Sequence, residues 1–263
     1  MRDLAYLVQR YLLRRRFLTA RSRLFDATFR VVTEDFIGRR LYKQGAYEAA
    51  TIEFLRGYLQ VGAGNILLDV GANIGWFSVF FDRIAPEGAE IFAFEPDPLN
   101  FGLLTHNLET NGCRKVTPVQ RAVSDVRRTE RLYLYPDKNR GRHSLVPGAG
   151  REVVDVEAIT LDEFLGERAR RVRFLKLDIE GHEYAALAGA REVLRHLPAL
   201  LMEYSPALYP AGGGKSEILA LLFGHGFSPH RIEAGSLAPV AREWLASSQA
   251  QMDLLWSKPP AGG

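Results

Sequence analysis

At 263 residues, 47% apolar and 25% charged, the chain has the composition of an ordinary globular protein, enough for one large α/β domain with a modest extension. Its single cysteine, Cys113, excludes internal disulfides and cysteine-cluster zinc sites, and six scattered histidines form no metal-binding motif. The net charge of +3 is uneven: residues 1–43 carry eleven Lys or Arg against four Asp or Glu, which leaves the remainder at −4.

Residues 1–45 are expected to form a basic helical extension. Leu4, Val8, Tyr11, Leu12 and Leu18 fall near one helical face, and Arg10, Arg14, Arg15, Arg16, Arg21 and Arg23 crowd around it. Such a pattern suits peripheral contact with an anionic membrane or with nucleic acid; the plainer alternative is a solvated helix packed on the domain. Arginines interrupt the segment before any signal-peptide core, and no apolar run approaches the roughly 20 residues of a spanning helix, so a cytoplasmic protein is expected.

A domain is expected over 46–263. Ile52, Leu55, Tyr58 and Leu59 share one face of a helix over Tyr47 to Leu59, which Gly62 and Gly64 end. The chain then alternates: strand Ile66 to Val70, helix from Gly75, strand Glu90 to Phe94, helix from Pro98, strand Val116 to Val123. Alternation of this kind predicts a doubly wound, mostly parallel sheet. Asp97 before Pro98 is an N-cap with proline at the first helical position, and Asn111 with Gly112 gives a left-handed stop. Around 130–160 the alternation fails: Leu132 and Leu134, then Val153, Val154 and Val156, read as an inserted hairpin whose tip is the glycine-rich, basic loop Lys138 to Arg151. Thr160 and Glu163 form a capping box. Strand four, Phe174 to Leu177, runs into DIEGHE, followed by one helix over Tyr184 to Leu194; Leu200 to Met202 is strand five, and Met252 to Ser257 supplies an antiparallel last strand.

The stretch NILLDVGANIGWFSVFF from Asn65 to Phe81 has a nucleotide-pocket layout: a buried strand, a turn framed by Gly71 and Gly75, a helix start, and an acid, Glu95, twenty residues beyond Gly75. A dinucleotide fingerprint would need glycine where Asn73 and Trp76 stand, and a P-loop would need a Gly-Lys pair. A ligand with adenine and ribose but no phosphate fits better. Asp69 is placed to receive an ammonium and Glu95 to accept two ribose hydroxyls, and S-adenosylmethionine offers these handles. An NAD-dependent oxidoreductase is the alternative enzyme and a non-catalytic binding protein the alternative class. Asp69, Glu95, Asp178 and Glu203 all fall at carboxyl ends of expected strands, the edge where open α/β sheets bind ligands.

LLDVGANIGWFS, FAFEPDP, Asn107, RAVSD, FLKLDIEGHE and LLMEY occur here in the order found in FkbM-type methyltransferases, which the chain resembles over roughly Tyr47 to Tyr204. The resemblance implies the class I methyltransferase fold. It also implies S-adenosylmethionine held by the turn Asp69, Gly71, Ala72, Asn73 and Gly75 with Trp76, and by Glu95 with Pro96, the adenine lying near Ser124 and Asp125. The implied reaction is O-methylation of a hydroxyl on a sugar, glycan, glycolipid or polyketide-type metabolite.

An aliphatic hydroxyl is a weak nucleophile, so a base is needed, and Asp178 and Glu180 rank ahead of His182 because they close strand four. Glu183 is expected in the first turn of the next helix. Magnesium held by Asp178 and Glu203 would be a second way to activate the hydroxyl, but two acids make a thin site, and none is assigned. His143 and Ser144 are candidate substrate contacts from the hairpin, with an ordinary polar tip as the plainer reading. A nucleic-acid substrate is not expected, because strand four ends in DIEG, where exocyclic-amine methyltransferases commonly carry D/N-P-P-Y/F/W.

Overall fold

The computed structural model describes residues 2–135, 141, 143–146, 152–209, 214–233 and 235–259. The extension opens with a helix, α1 (Arg2–Leu7), which a single π-type turn (Val8–Leu12) continues. It then forms an antiparallel hairpin of β1 (Phe17–Arg21) and β2 (Thr28–Val32), ahead of α2 (Phe36–Gln44) and α3 (Ala49–Tyr58). The helical part is therefore shorter than expected, and Leu18 belongs to a strand. The reason is a period of two: Leu18 and Ala20 on β1, and Phe29 and Val31 on β2, bury one face of the hairpin.

Among the described residues β2 has no strand on its outer edge, and α5 (Pro98–Thr110) takes that place. The Asn107 carboxamide accepts the Arg30 N–H at 2.7 Å and donates to the Arg30 carbonyl, while Asn111 does the same for Thr28 at 2.9 and 2.7 Å. Residues two apart on a strand and four apart along a helical face have similar spacing, so two asparagines imitate a β partner. The remaining Asn107 N–H reaches the Ile74 carbonyl at 2.8 Å and ties the hairpin to the glycine turn.

The main sheet contains β3 (Ile66–Val70), β4 (Glu90–Phe94), β5 (Val116–Val119), β9 (Val172–Leu177), β10 (Ala199–Tyr204), β11 (Ser228–Glu233), β12 (Ser236–Pro239) and β13 (Met252–Ser257), in the order β12-β11-β13-β10-β9-β3-β4-β5. β5, β4, β3, β9 and β10 are parallel; β13 runs antiparallel to β10, as the sequence suggested. The chain winds outward from β3 and then resumes at β9, so the strand order reverses between these two neighbours. A crevice at that point is the expected ligand position.

Two expected elements are split. The strand over Val116 to Val123 breaks after Val119, and β6 (Ala122–Val123) joins a separate sheet with β7 (Arg128–Leu134) and β8 (Glu152–Ile159). β7 and β8 pair antiparallel from Arg128↔Ala158 to Leu134↔Glu152. Most of the loop between them, 136–140 and 147–151, lies outside the described residues. The helix over Tyr184 to Leu194 is two, α7 (Glu183–Ala188) and α8 (Arg191–His196). Asp162 of α6 (Leu161–Leu165), itself capped by Thr160, breaks it by accepting the Glu192 and Val193 N–H groups, and a Cβ on Gly189 would strike the Ser124 carbonyl.

Helices cover both faces. Leu67, Ile91 and Phe174 pack with α3, α4 (Trp76–Ile84), α5 and the N-terminal hairpin, where Trp76 meets Phe25 and Phe29 at ring-centroid distances of 4.7 and 5.2 Å. Ile66, Leu68 and Leu175 pack with α6, α7, α8, α9 (Lys215–Gly224) and α10 (Arg242–Ser247). Burying a side chain such as Phe29 stabilises the fold by about 1.5–3 kcal/mol, so the extension is fastened by its hydrophobic face as well as by asparagines. None of the described helices is long and apolar enough to cross a membrane.

Candidate active site

The turn after β3 is shaped by three left-handed residues, Gly71 (φ 79°), Asn73 (φ 51°) and Gly75 (φ 87°). Gly71 is obligatory: a Cβ there would collide with the Asp178 carbonyl. Asn73 is among the non-glycine residues that tolerate this conformation best. Four amides of the turn are already committed. Gly71 and Ala72 donate to the Phe94 carbonyl at 3.0 and 2.9 Å, Asn73 donates to Glu95 Oε2 at 2.8 Å, and Gly75 donates to the Ala72 carbonyl. Little of the amide cradle that a pyrophosphate requires is left, which counts against the dinucleotide alternative.

Glu95 stands over the crevice with its second oxygen accepting the Asp97 N–H at 2.9 Å. Burial pushes its carboxyl up to about 8, against the two amide bonds that favour ionisation. It lines a cavity of about 310 Å³ together with the turn residues Gly71, Ala72 and Asn73, and with Trp76 and Pro96. Ala122, Val123, Leu132 and Leu145 make its far side apolar, suited to a flat heteroaromatic ring.

The other end of the cavity is charged. Lys176 lies in β9 beside Asp69 of β3, buried, with its ammonium 3.1 Å from the Gly71 carbonyl, 3.4 Å from Asp178 Oδ2 and 3.9 Å from Asp69 Oδ1. Burial favours loss of its proton, yet Asp178, Asp69 and Glu48 outweigh burial and hold it firmly charged. Glu48 caps α3 in a left-handed conformation (φ 47°), but its side chain makes no capping bond and lines the cavity instead. Burial, then Asp253, pushes its carboxyl up to about 8. Glu203, at the end of β10, accepts from Gln251 at 2.6 Å and Ser205 at 2.8 Å, and burial followed by Asp178 raises its carboxyl above the usual range.

Of the residues singled out in the sequence, Gly71, Ala72, Asn73, Trp76, Glu95, Pro96, Asp178 and Glu180 line one cavity. Gly75 shapes the turn behind it. Asp69 is not on its wall: fully buried, it accepts Ser78 Oγ at 2.5 Å and faces Lys176, so any pull on a ligand ammonium is indirect. Ser124, Asp125 and His182 are also off the wall. Ser124 Oγ is 3.0 Å from His182 Nε2, beneath the inserted hairpin, and Asp125 is exposed and pairs with Arg128. Ala122 and Val123, two residues upstream, line the cavity instead, because the chain turns away from the crevice once β6 joins β8. Burial lowers the His182 pKa below its ordinary value, and the ring stands beside Ser124 rather than on the cavity wall. His143 does reach the cavity, 4.0 Å from Asp97, while Ser144 is spent on the Glu180 carbonyl at 2.6 Å. Sequence reasoning missed Lys176, whose signal was a lysine inside the apolar run FLKL. It also missed Glu48, which lies before the recognisable motifs.

Asp178, Glu180 and Glu203 each bring one carboxylate oxygen within 4.8 Å of the others. Three hard oxygen donors suit a divalent cation, and Glu180 is the third donor that the sequence reading lacked. Lys176 already serves Asp178 as a counter-charge.

Residues 69–229, well over half of the chain, match the methyltransferase FkbM domain. The chain is similar to the 31-O-demethyl-FK506 methyltransferase FkbM of Streptomyces tacrolimicus, 28% identical over 210 residues that cover 66% of this chain and 77% of that one. It is similar to the hexuronic acid methyltransferase AglP of Haloferax volcanii, 28% identical over 148 residues, 56% of this chain and 58% of that one. Among solved structures it is similar to the methyltransferase FkbM of Methylobacillus flagellatus KT, with a TM-score of 0.48 and 18% identity over 79% of this chain and about half, 47%, of that one. The left-handed glycine turn, the acid after the second strand and the doubly wound sheet thus stand in a chain that belongs to the FkbM methyltransferase family.

Proposed function

We propose that the protein is an S-adenosylmethionine-dependent O-methyltransferase acting on a hydroxyl of a sugar, glycan, glycolipid or polyketide-type metabolite. The observation that carries this reading is the pairing of a turn whose amides are already used with an inward-facing carboxylate, Glu95, in one cavity with a charged far end. Glu95 accepts the two ribose hydroxyls, and Ala122, Val123, Leu132 and Leu145 enclose the adenine. Lys176 binds the methionine carboxylate, and Asp178 with the Gly71 carbonyl receives the ammonium. The surrounding acids suit a cofactor whose sulfonium leaves it with net positive charge.

S-adenosylmethionine supplies an activated methyl group. Glu180, which lines the same cavity, orients the acceptor hydroxyl and takes its proton as the new C–O bond forms and the C–S bond breaks; S-adenosylhomocysteine and a methyl ether result. The names of the two relatives, a 31-O-demethyl-FK506 methyltransferase and a hexuronic acid methyltransferase, support small-molecule or sugar acceptors. Calorimetric titration with S-adenosylhomocysteine tests the cofactor, and saturable binding is expected. Mass spectrometry of host extract incubated with enzyme and methyl-labelled cofactor tests the reaction. Absence of binding, or label appearing on a nucleic-acid base, overturns the reading.

A further inference from the structure

The N-terminal fifteen residues keep a cluster of large apolar side chains in solvent: Leu4 (69% exposed), Leu7, Val8, Tyr11 (64%), Leu12 (76%) and Leu13. Elsewhere among the described residues, exposed apolar side chains of this size are isolated, apart from Phe36 at the start of α2. The cluster is not a frayed end. Between these residues Tyr6 is buried, its hydroxyl donates to the Thr33 carbonyl at 2.8 Å, and its ring meets Tyr42 at 6.0 Å and the Lys43 ammonium at 4.8 Å. A fixed base therefore holds the apolar residues outward.

Their surroundings are cationic. Arg2, Arg14, Arg15 and Arg16 are exposed beside them, and the one acid of residues 2–16, Asp3, is matched by Lys43 at 2.7 Å. Apolar side chains ringed by arginines on a short segment are complementary to the headgroup region of an anionic bilayer. Residues 1–43 carry the chain's excess positive charge, the remainder being −4, so attraction to such a surface is strongest at this end. Phe36 and Ile37 extend the arrangement to the active site: α1 packs on α2, and both residues line the cavity.

We infer that the segment Arg2–Arg16 docks on an anionic lipid bilayer, seated in its interface, with the cavity opening beside the lipid surface. The acceptor hydroxyl then belongs to a membrane-borne amphiphile, a glycolipid or lipid-linked glycan; this second half rests on the proposed methyl transfer.

Co-sedimentation of the full chain with phosphatidylglycerol/phosphatidylcholine vesicles tests docking. Partitioning at about 0.1 M salt is expected to weaken about tenfold or more at about 0.5 M, and to be weak on phosphatidylcholine alone. The pair Tyr11→Glu with Leu12→Glu, and separately Arg14→Gln with Arg15→Gln and Arg16→Gln, should each cut partitioning about tenfold while leaving the melting temperature and S-adenosylhomocysteine affinity unchanged. No vesicle binding, binding indifferent to both variants, or a dimer dispersed by Leu12→Glu, which would make the face a contact between copies, overturns docking. Incubation of host membranes with methyl-labelled S-adenosylmethionine should place label in the organic-solvent extract. Label confined to water-soluble products overturns the acceptor class, whereas failure to bind S-adenosylhomocysteine at all overturns the proposed function and leaves the vesicle result standing.

Discussion

Glu95 provides a test in which the pH dependence of binding can be derived in sign and size. In the free protein, burial pushes its carboxyl up to about 8, so at pH 6 the group is mostly protonated. Ribose hydroxyls donate to the ionised form, and their arrival must therefore expel a proton. Affinity then rises with pH until the free-protein pKa is passed and becomes level above it. Each unit below that point costs about 1.4 kcal/mol, a factor of ten, so the deficit at pH 6 relative to pH 9 approaches about 2.7 kcal/mol. The suitable probe is 5′-methylthioadenosine, which has the adenine and ribose but no group that titrates in this range. Calorimetry at pH 6, 7, 8 and 9 should give a dissociation constant that falls steeply and then levels. Glu95→Gln should bind with no pH dependence, about 1.5–3 kcal/mol more weakly than wild type at pH 9, the scale of a hydrogen bond to a charged group. A flat wild-type profile, or the same slope in Glu95→Gln, would refute the assignment of Glu95 to the ribose.

Lys176→Met should weaken S-adenosylhomocysteine by about tenfold or more while leaving 5′-methylthioadenosine within about twofold, because only the former has a carboxylate for the ammonium; equal losses for both ligands would make the lysine merely structural. Asn107→Ala removes a fully buried carboxamide that joins Arg30 to Ile74, and urea unfolding should report about 2–4 kcal/mol of destabilisation. Glu183 accepts the Gly181 and Ile179 amides, and burial raises its carboxyl to about 8. Because its folded pKa is raised, its contribution is complete below the unfolded value near 4.5 and is lost as pH rises through about 8, so stability measured between these limits should decline less steeply in Glu183→Gln, by up to about 1.4 kcal/mol per unit; parallel slopes would count against it. Exhaustive dialysis against a chelator should leave turnover within about twofold, since Lys176 already neutralises Asp178; a loss restored by magnesium would show that Asp178, Glu180 and Glu203 hold a metal.

The parts of this protein legible in its sequence are those where one residue type is dictated locally. The buried strand ILLDV, the glycines needed for a left-handed turn, the Asp97–Pro98 cap and the acid closing the second strand are local features. Their order alone placed the crevice and matched a family. The period of two in LTAR and FRVV was equally local, but arginines at every turn of a notional helix obscured it, and the hairpin emerged only with the core it covers.

Tertiary structure decided matters that depend on distant partners. Asp162 broke a helix thirty residues onward by capping it, β8 drew β6 out of the main sheet and left Val123 rather than Ser124 on the cavity wall, and Glu48 reached the cavity from outside the motifs. Lys176 is the clearest case. A lysine in a strand is a local oddity, but three acids from separate segments, Glu48, Asp69 and Asp178, keep it charged, and electrostatic energy depends on distances that only the folded chain sets.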